Sequence, residues 1–211
     1  MQKQVVVIGS GGHASVVIDI LQEMSDVNII GITSVGLTKG DEFLGYPVLG
    51  NDDVIREYLN LEGFYAVMGI GGYKDNYLRE KVFLFVKKMG VNFLNAIHPS
   101  SIISKTVQIG QGVVIFPGVI INTNVKIGDN CIIATNSSID HETIIEDNTL
   151  VSAGVIIGAY SKICNNVVLA LGAKVISGVT IYKNVLVAAG AVVVNNIEEN
   201  KKVFGIPAKE K

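Results

Sequence analysis

The chain has 211 residues, 17 Lys+Arg against 19 Asp+Glu, 3 His and a formal net charge of −2, which lacks the basic surplus of a nucleic-acid binder. Apolar residues make up 49%, charged residues 17%, and 23 residues are Gly; this excludes a disordered chain and raises the membrane question. The longest uncharged stretch, 106–125, is long enough to span, but Gln108, Gly110, Gln111, Gly112, Pro117, Gly118, Asn122 and Asn124 break it, so no membrane insertion is expected. Along the chain, an apolar strand over 4–8 ends in Gly9-Ser10-Gly11-Gly12-His13, and a helix follows over 14–24 with Val16, Val17, Ile20, Leu21 and Met24 on one face. A second strand spans 28–33, and Asp52 or Asp53 is placed to cap a short helix running to Leu59. A third strand spans 64–70 and closes on Gly71-Gly72. The next helix, 76–89, stacks Leu78, Val82, Phe85 and Met89, and a last strand covers 92–97. Strand, glycine turn, helix, strand is the pattern of a parallel α/β sheet.

After His98-Pro99 the helical period gives way to a period of six. Ile103, Ile109, Ile115, Ile121, Ile127, Ile133, Ile139, Ile145, Val151, Ile157, Ile163, Leu169, Val175, Ile181, Val187 and Val193 follow one another with no residue inserted or lost. Three residues before them stand turn formers: Gly112, Gly118, Asn130, Asn136, Asn148, Gly154, Asn166, Gly172, Gly178, Asn184 and Gly190. Each short strand buries one aliphatic, and each corner needs a positive φ that Gly and Asn accept. Three sides close a coil of 18 residues, and the 16 aliphatics give about five coils stacked like parallel strands. Flat apolar faces and a triangular section predict a homotrimer. The expected domains are 1–97, α/β and Rossmann-like, and 98–211, a β-helix. Cys131 and Cys164 form no CxxC pair and no signal peptide opens the chain, which points to a reducing, cytoplasmic setting.

The repeat [Ile/Val/Leu]-Gly-x-[Gly/Asn]-[Val/Thr/Ser/Ala]-x resembles the hexapeptide repeat of the left-handed β-helix acyltransferases. The whole chain is similar to their sugar acetyltransferase branch, typified by sialic-acid O-acetyltransferases and N-acetyltransferases of nucleotide-linked 4-amino sugars. The opening Val5-Val6-Val7-Ile8-Gly9-Ser10-Gly11-Gly12-His13, the segment Tyr46-Pro47-Val48-Leu49-Gly50, the run Ser138-Ile139-Asp140-His141-Glu142, and the ending Val203-Phe204-Gly205-Ile206-Pro207-Ala208-Lys209 carry it. The resemblance implies an N-terminal domain that holds a nucleotide sugar. It also implies acetyl-CoA, with no metal, in a groove between subunits of a trimer, and His141 as general base with Glu142 orienting or polarising it. An imidazole titrates near neutrality and can take a proton from an attacking amine or hydroxyl.

The 18-residue coil places Ala159 one coil beyond His141, so its N–H becomes the candidate donor for the developing oxyanion. The family usually has Gly there; a backbone donor survives Ala where φ is negative. Leu171, Ala189 and Pro207 also fall 18 apart, along an edge that matches the family's acetyl-CoA groove, where Gly190 allows close approach. Gly9-Ser10-Gly11-Gly12-His13-Ala14 reads as G-x-G-x-x-A, yet Thr33-Ser34 stand where a ribose-binding acid would sit. NAD is disfavoured, while the loop can still cradle a pyrophosphate. Gly71 and Gly72 share that carboxyl edge, Asn136 is a candidate acceptor contact, and Arg79 is a candidate match to a family Arg. Relatives often carry Asp-Asp at the second strand's end, an Asn at the position of Ala134 and a second His at that of Leu150. The expected activity is N-acetylation of a nucleotide-linked amino sugar by direct transfer. The alternatives are O-acetylation of a sugar such as sialic acid, and a non-catalytic nucleotide-sugar-binding β-helix protein.

Overall fold

In the computed structural model, which describes residues 2–73 and 75–210, the first apolar run forms β1 (Lys3–Ile8), with Val5 to Ile8 fully buried. Met1 and Lys211, the outer limits of the two expected domains, lie outside the described residues. Helix α1 (Gly12–Gln22) follows, then β2 (Val27–Thr33), β3 (Glu42–Phe43), β4 (Tyr46–Gly50) and β5 (Phe64–Met68). The strand order is β3-β4-β2-β1-β5, with β1 parallel to β2 and β5, β2 parallel to β4, and the short β3 antiparallel. The turn between β4 and β5 is a 3₁₀ helix, Asp52–Tyr58, capped by Asn51 rather than by either aspartate: its side chain accepts from the Asp53 N–H.

Helix α2 (Tyr77–Lys87) buries only part of the expected face, with Val82 and Met89 packed, partly buried, against the core. Arg79, Phe83 and Val86 point inward, while Leu78 and Phe85 are exposed. The inward Arg79 meets a polar partner from the β-helix, the Asn148 carbonyl. The strand expected over 92–97 is divided. Asn92 and Leu94 exchange hydrogen bonds with Ala66 of β5, but Ala96–Ile97 pairs with Val114–Ile115 of the coil.

From there the chain winds as a parallel β-helix. Among the described residues, three stacks of two- or three-residue strands run six, five and eight high. Ile120–Ile121, Ser138–Ile139 and Ile156–Ile157 belong to the first, Lys126–Ile127 and Ile144–Ile145 to the second, and Val114–Ile115, Ile132–Ile133 and Leu150–Val151 to the third. The second residue of each pair belongs to the continuous apolar core, in which Ile115, Ile133 and Ile139 are fully enclosed. Each buried aliphatic contributes about 1.5–3 kcal/mol. Every sixth residue from Gly112 to Gly190 has φ between 55° and 76°. The small residue after several corners ties successive coils: Thr143 Oγ1 donates to the Gly158 carbonyl (3.2 Å), Thr149 Oγ1 to Cys164 (3.1 Å) and Ser161 Oγ to Ile176 (3.2 Å).

The first residue of each strand pair faces outward and shows what covers each face. On the third sheet Val114, Ile132, Leu150 and Val168 are buried against Ala14, Val17, Ile18 and Leu21 of α1. On the second sheet Lys126 and Lys162 face solvent, and on the first Ile102, Ile120 and Ile156 are exposed. The coil's far end closes differently. Ile197 bridges Ile181, Lys202–Phe204 pairs with Leu186–Val187 at an offset of 16, and the chain returns antiparallel as Lys209–Glu210. Among the described residues no helix is long and apolar enough to cross a membrane.

Candidate active site

Most of the residues singled out by sequence lie in two places. The first is a cleft of about 770 Å³ at the carboxyl edge of the α/β sheet. Gly9, Ser10, Gly11, Gly12 and His13 line it between β1 and α1, and Ser34, Gly71 and Gly72 line it from the adjoining strand ends. Gly9 has φ 103°, and a Cβ there would meet the Ile70 side chain at 3.1 Å, so this turn requires glycine. Helix α1 has Gly11 at its N-cap and no side-chain cap. Its first-turn N–H groups and positive dipole end suit a pyrophosphate.

Thr33 is fully buried and is not among the cleft-lining residues; its hydroxyl donates to the Asp52 carboxylate. Ser34 Oγ lies 2.7 Å from Ser10 Oγ and accepts from the N–H groups of Gly36 and Leu37. Asp52 itself lines the cleft. The acid absent from the end of β2 therefore arrives from the next strand, because β4 pairs in parallel with β2 (Thr33 opposite Gly50) and ends on the same edge. Reading 46–50 as a strand would have revealed it.

His13 stacks on Phe116 of the coil, with centroids 5.6 Å apart and planes 19° apart. Its Nε2 is buried without a hydrogen-bond partner, and burial, then the charge of Arg79, lowers its pKa from 6.5 to about 4. At neutral pH it is an uncharged ring. Arg79 is neither a solvated helix charge nor part of the cleft's lining. It is 1% exposed, its Nη2 donates to the Asn148 carbonyl at 2.8 Å, and Nε and Nη1 lack partners. Burial lowers its pKa to about 10, so it stays charged. Beside it Asn76 Nδ2 donates to the Val167 carbonyl (3.3 Å), and Glu80 accepts from the amides of Asn148 (3.1 Å) and Asn166. A Cβ on Gly72 would lie 3.0 Å from Arg79 Nη1. The Gly71-Gly72 turn thus rests on the polar junction between the two halves.

The second place is the edge of the coil between the first and second sheets. His141 sits there, half-buried, on the turn after Ser138–Ile139. Its N–H donates to its neighbour's Asp140 Oδ1 at 2.8 Å, and Asn122 Nδ2 donates to the same oxygen at 3.0 Å. These bonds, with the charge of His141, hold the Asp140 carboxyl below the usual carboxylate range. Asp140 was not singled out by sequence, although it lies inside the quoted run. Glu142 takes the corner conformation with φ 58°, and its carboxylate accepts from Asn124 Nδ2 at 2.7 Å. Holding a residue other than Gly or Asn in this region costs roughly 1–2 kcal/mol.

Ala159 stacks over His141 as the 18-residue count requires: Tyr160 N–H donates to the His141 carbonyl at 3.0 Å and Gly178 N–H to the Ala159 carbonyl at 2.9 Å. Ala159 has no positive φ, and its N–H has no acceptor among the described hydrogen bonds. Gly158 is glycine for another reason: a Cβ would lie 2.6 Å from Ser177 N. Cys131 is buried and its thiol is pushed up to about 12 by that burial, which suits packing and not nucleophilic attack.

Leu171 and Ala189 share a second edge, between the third and first sheets, where Gly190 N–H donates to the Leu171 carbonyl at 2.8 Å. Both are exposed. Pro207 does not continue that column. The last coil advances by 16 residues and Pro207 sits in the turn before Lys209–Glu210, where Ala208 N–H donates to Val192 (2.8 Å). Asn136 is an exposed corner residue with φ 56° and is not among the cleft-lining residues. Within one chain, then, the cleft-bearing unit covers one face of the prism, and His141 lies on the edge opposite that face.

A family model described as the PglD N-terminal domain matches residues 4–84, and one for the bacterial transferase hexapeptide (six repeats) matches 106–141. A search of curated proteins gave no match. Among solved structures, a mutant of GDP-perosamine N-acetyltransferase from Caulobacter crescentus, in complex with CoA and GDP-perosamine, is 33% identical with TM-score 0.90, covering 99% of this chain and 96% of that one. PerB from the same organism, with CoA and GDP-perosamine, is 34% identical with TM-score 0.80, covering 99% and 97%. The acetyltransferase domain of PglB from Neisseria gonorrhoeae, in complex with acetyl coenzyme A, is 25% identical with TM-score 0.89 over 100% of both chains. By this likeness along almost its whole length, the chain belongs to the hexapeptide-repeat sugar acetyltransferases with a PglD-type N-terminal domain and is an acetyl-CoA-dependent acyltransferase.

Proposed function

We propose that this protein transfers the acetyl group of acetyl-CoA to the amino group of a nucleotide-linked amino sugar of the 4-amino-4,6-dideoxy type, by direct transfer. The observation that carries the reading is the pairing of His141 with the free N–H of Ala159 one coil above it. His141 takes the proton as the amine nitrogen attacks the thioester carbonyl carbon. The oxyanion that forms accepts a hydrogen bond from Ala159 N–H. When the C–S bond breaks, the imidazolium returns the proton to the departing CoA thiolate. Asp140 and Glu142, whose carboxylates are anchored by Asn122 and Asn124, flank His141 in the chain. The Caulobacter relative has been seen with CoA and GDP-perosamine together, in histidine-to-alanine and histidine-to-asparagine mutants, which supports a ternary complex.

In this reading residues 1–97 hold the nucleotide sugar, with the pyrophosphate at Gly9 to His13, and residues 98–211 hold acetyl-CoA. His141 and the cleft lie on opposite sides of one chain, so the site is completed between copies. A cytoplasmic homotrimer brings the Leu171–Ala189 edge of one copy to the His141 edge of the next. Such an enzyme would serve surface polysaccharide or glycoprotein assembly. The test is a panel of nucleotide-linked amino sugars with acetyl-CoA, read by thiol release and by a product one acetyl group heavier. His141→Ala is expected to lower kcat by about 10²–10⁴-fold with an unchanged melting temperature; near-normal turnover in that variant sinks the mechanism.

A further inference from the structure

We propose that Tyr160 is a positioning residue for the acyl transfer, its ring holding the His141 imidazole in the orientation that meets the acceptor. The proposal rests on the reading of His141 as the base. Every corner of the coil from Gly112 to Gly190 is Gly or Asn, except Glu142 and Tyr160, and these two flank His141 in successive coils. Tyr160 adopts φ 57°, a conformation that a bulky side chain disfavours and that persists where the surroundings or the function demand it. Core packing does not explain the ring, which is 67% exposed.

What the ring touches is His141. The centroids are 5.1 Å apart and the planes meet at 85°, the edge-to-face arrangement that aromatic quadrupoles favour. The attachment is short as well: the Tyr160 N–H donates to the carbonyl of His141 itself at 3.0 Å. An imidazole on a half-exposed corner has a broad second torsion. A ring standing edge-on beside it removes part of that freedom and keeps water from one side. Ala159, next in the chain, has no acceptor for its N–H among the described hydrogen bonds. Proximity catalysis depends on such pre-alignment. The phenolic hydroxyl has no part in this argument.

Three variants test it, each assayed for kcat, KM and melting temperature. Tyr160→Asn installs the coil's own corner residue. It is expected to melt at the same or a higher temperature, to lose about tenfold or more in kcat, and to keep both KM values within about twofold. Tyr160→Phe is expected to keep kcat within about twofold, because it keeps the ring. Normal kcat in Tyr160→Asn overturns the proposal, as does a loss confined to KM, or a loss in Tyr160→Phe as large as in Tyr160→Asn. His141→Ala in the same assay separates the two readings. If it turns over normally, the base assignment falls and takes this proposal with it. If it is inactive while Tyr160→Asn is normal, the positioning role alone falls.

Discussion

Along the coil the strand N–H groups find carbonyls one turn of the prism away, as from Ser138 to Val155 and from Ile156 to Ala173. In the α/β unit the ladder stops at the strand ends, and loops gather there into a cleft. The coil displays its chemistry outward on corners whose geometry the repeat sets. The α/β unit builds its site inward, on a base of buried polar groups: His13, Asn76 and Arg79 all carry atoms with no partner. The difference teaches where each half is vulnerable. The coil tolerates change outside its core and corners, whereas the cleft depends on a junction that the coil itself completes.

Removing Arg79 strikes that junction hardest. Arg79→Ala strips the donor from the Asn148 carbonyl and opens a void beneath Gly72. A loss of about 3–5 kcal/mol is expected, appearing in calorimetry as an early transition of the α/β unit while the coil melts as before. A single unshifted transition would show that the two halves melt as one. Acid sharpens the same contrast through His13. Its pKa is about 4 in the fold against 6.5 when unfolded, so below 6.5 the unfolded chain binds the extra proton. Stability contributed by the neutral ring is complete above that value and is lost as pH falls toward 4, by on the order of 3 kcal/mol. His13→Gln is expected to flatten this slope in denaturant titrations at pH 4 to 7, and an unchanged slope would assign the acid sensitivity elsewhere. The smallest effect belongs to the coil's surface. Lys162 and Glu146 form an exposed ion pair at 2.8 Å, worth under about 1 kcal/mol. Lys162→Ala is expected to leave the melting temperature almost unmoved, and a large fall would reveal a partner over that face.

How much of this was legible in the sequence follows from the same contrast. The aliphatics from Ile103 to Val193 place the coil's strands, and the 18-residue count places Ala159 over His141, because a repeat carries its long-range contacts in its period. The corners at Asn124, Glu142 and Tyr160 escaped notice, since two of them carry residues that do not announce a turn. The period also ran out at the last coil: the 16-residue step moves Pro207 out of the column counted for it. In the α/β unit, β1, β2 and the glycine loop were legible. The inward Arg79 of α2 was not, because it answers to Asn148, which lies 69 residues away. Asp52 was hidden for a similar reason: its place depends on which strand lies beside β2.

The closing turn of the coil has a consequence for the molecule in solution. A stack of parallel strands ends in rows of open N–H and C=O groups, each able to template another chain. Here Ile197 lies along Ile181, the turn at Gly205 to Ala208 bonds to Val192, and Lys209–Glu210 runs back along Val203–Phe204. The three rows are thus met by residues 197–210, which end in the charged pair Lys209–Glu210. A prism that would otherwise invite end-to-end growth into a fibre is finished with a plug, and its remaining apolar contacts are directed sideways.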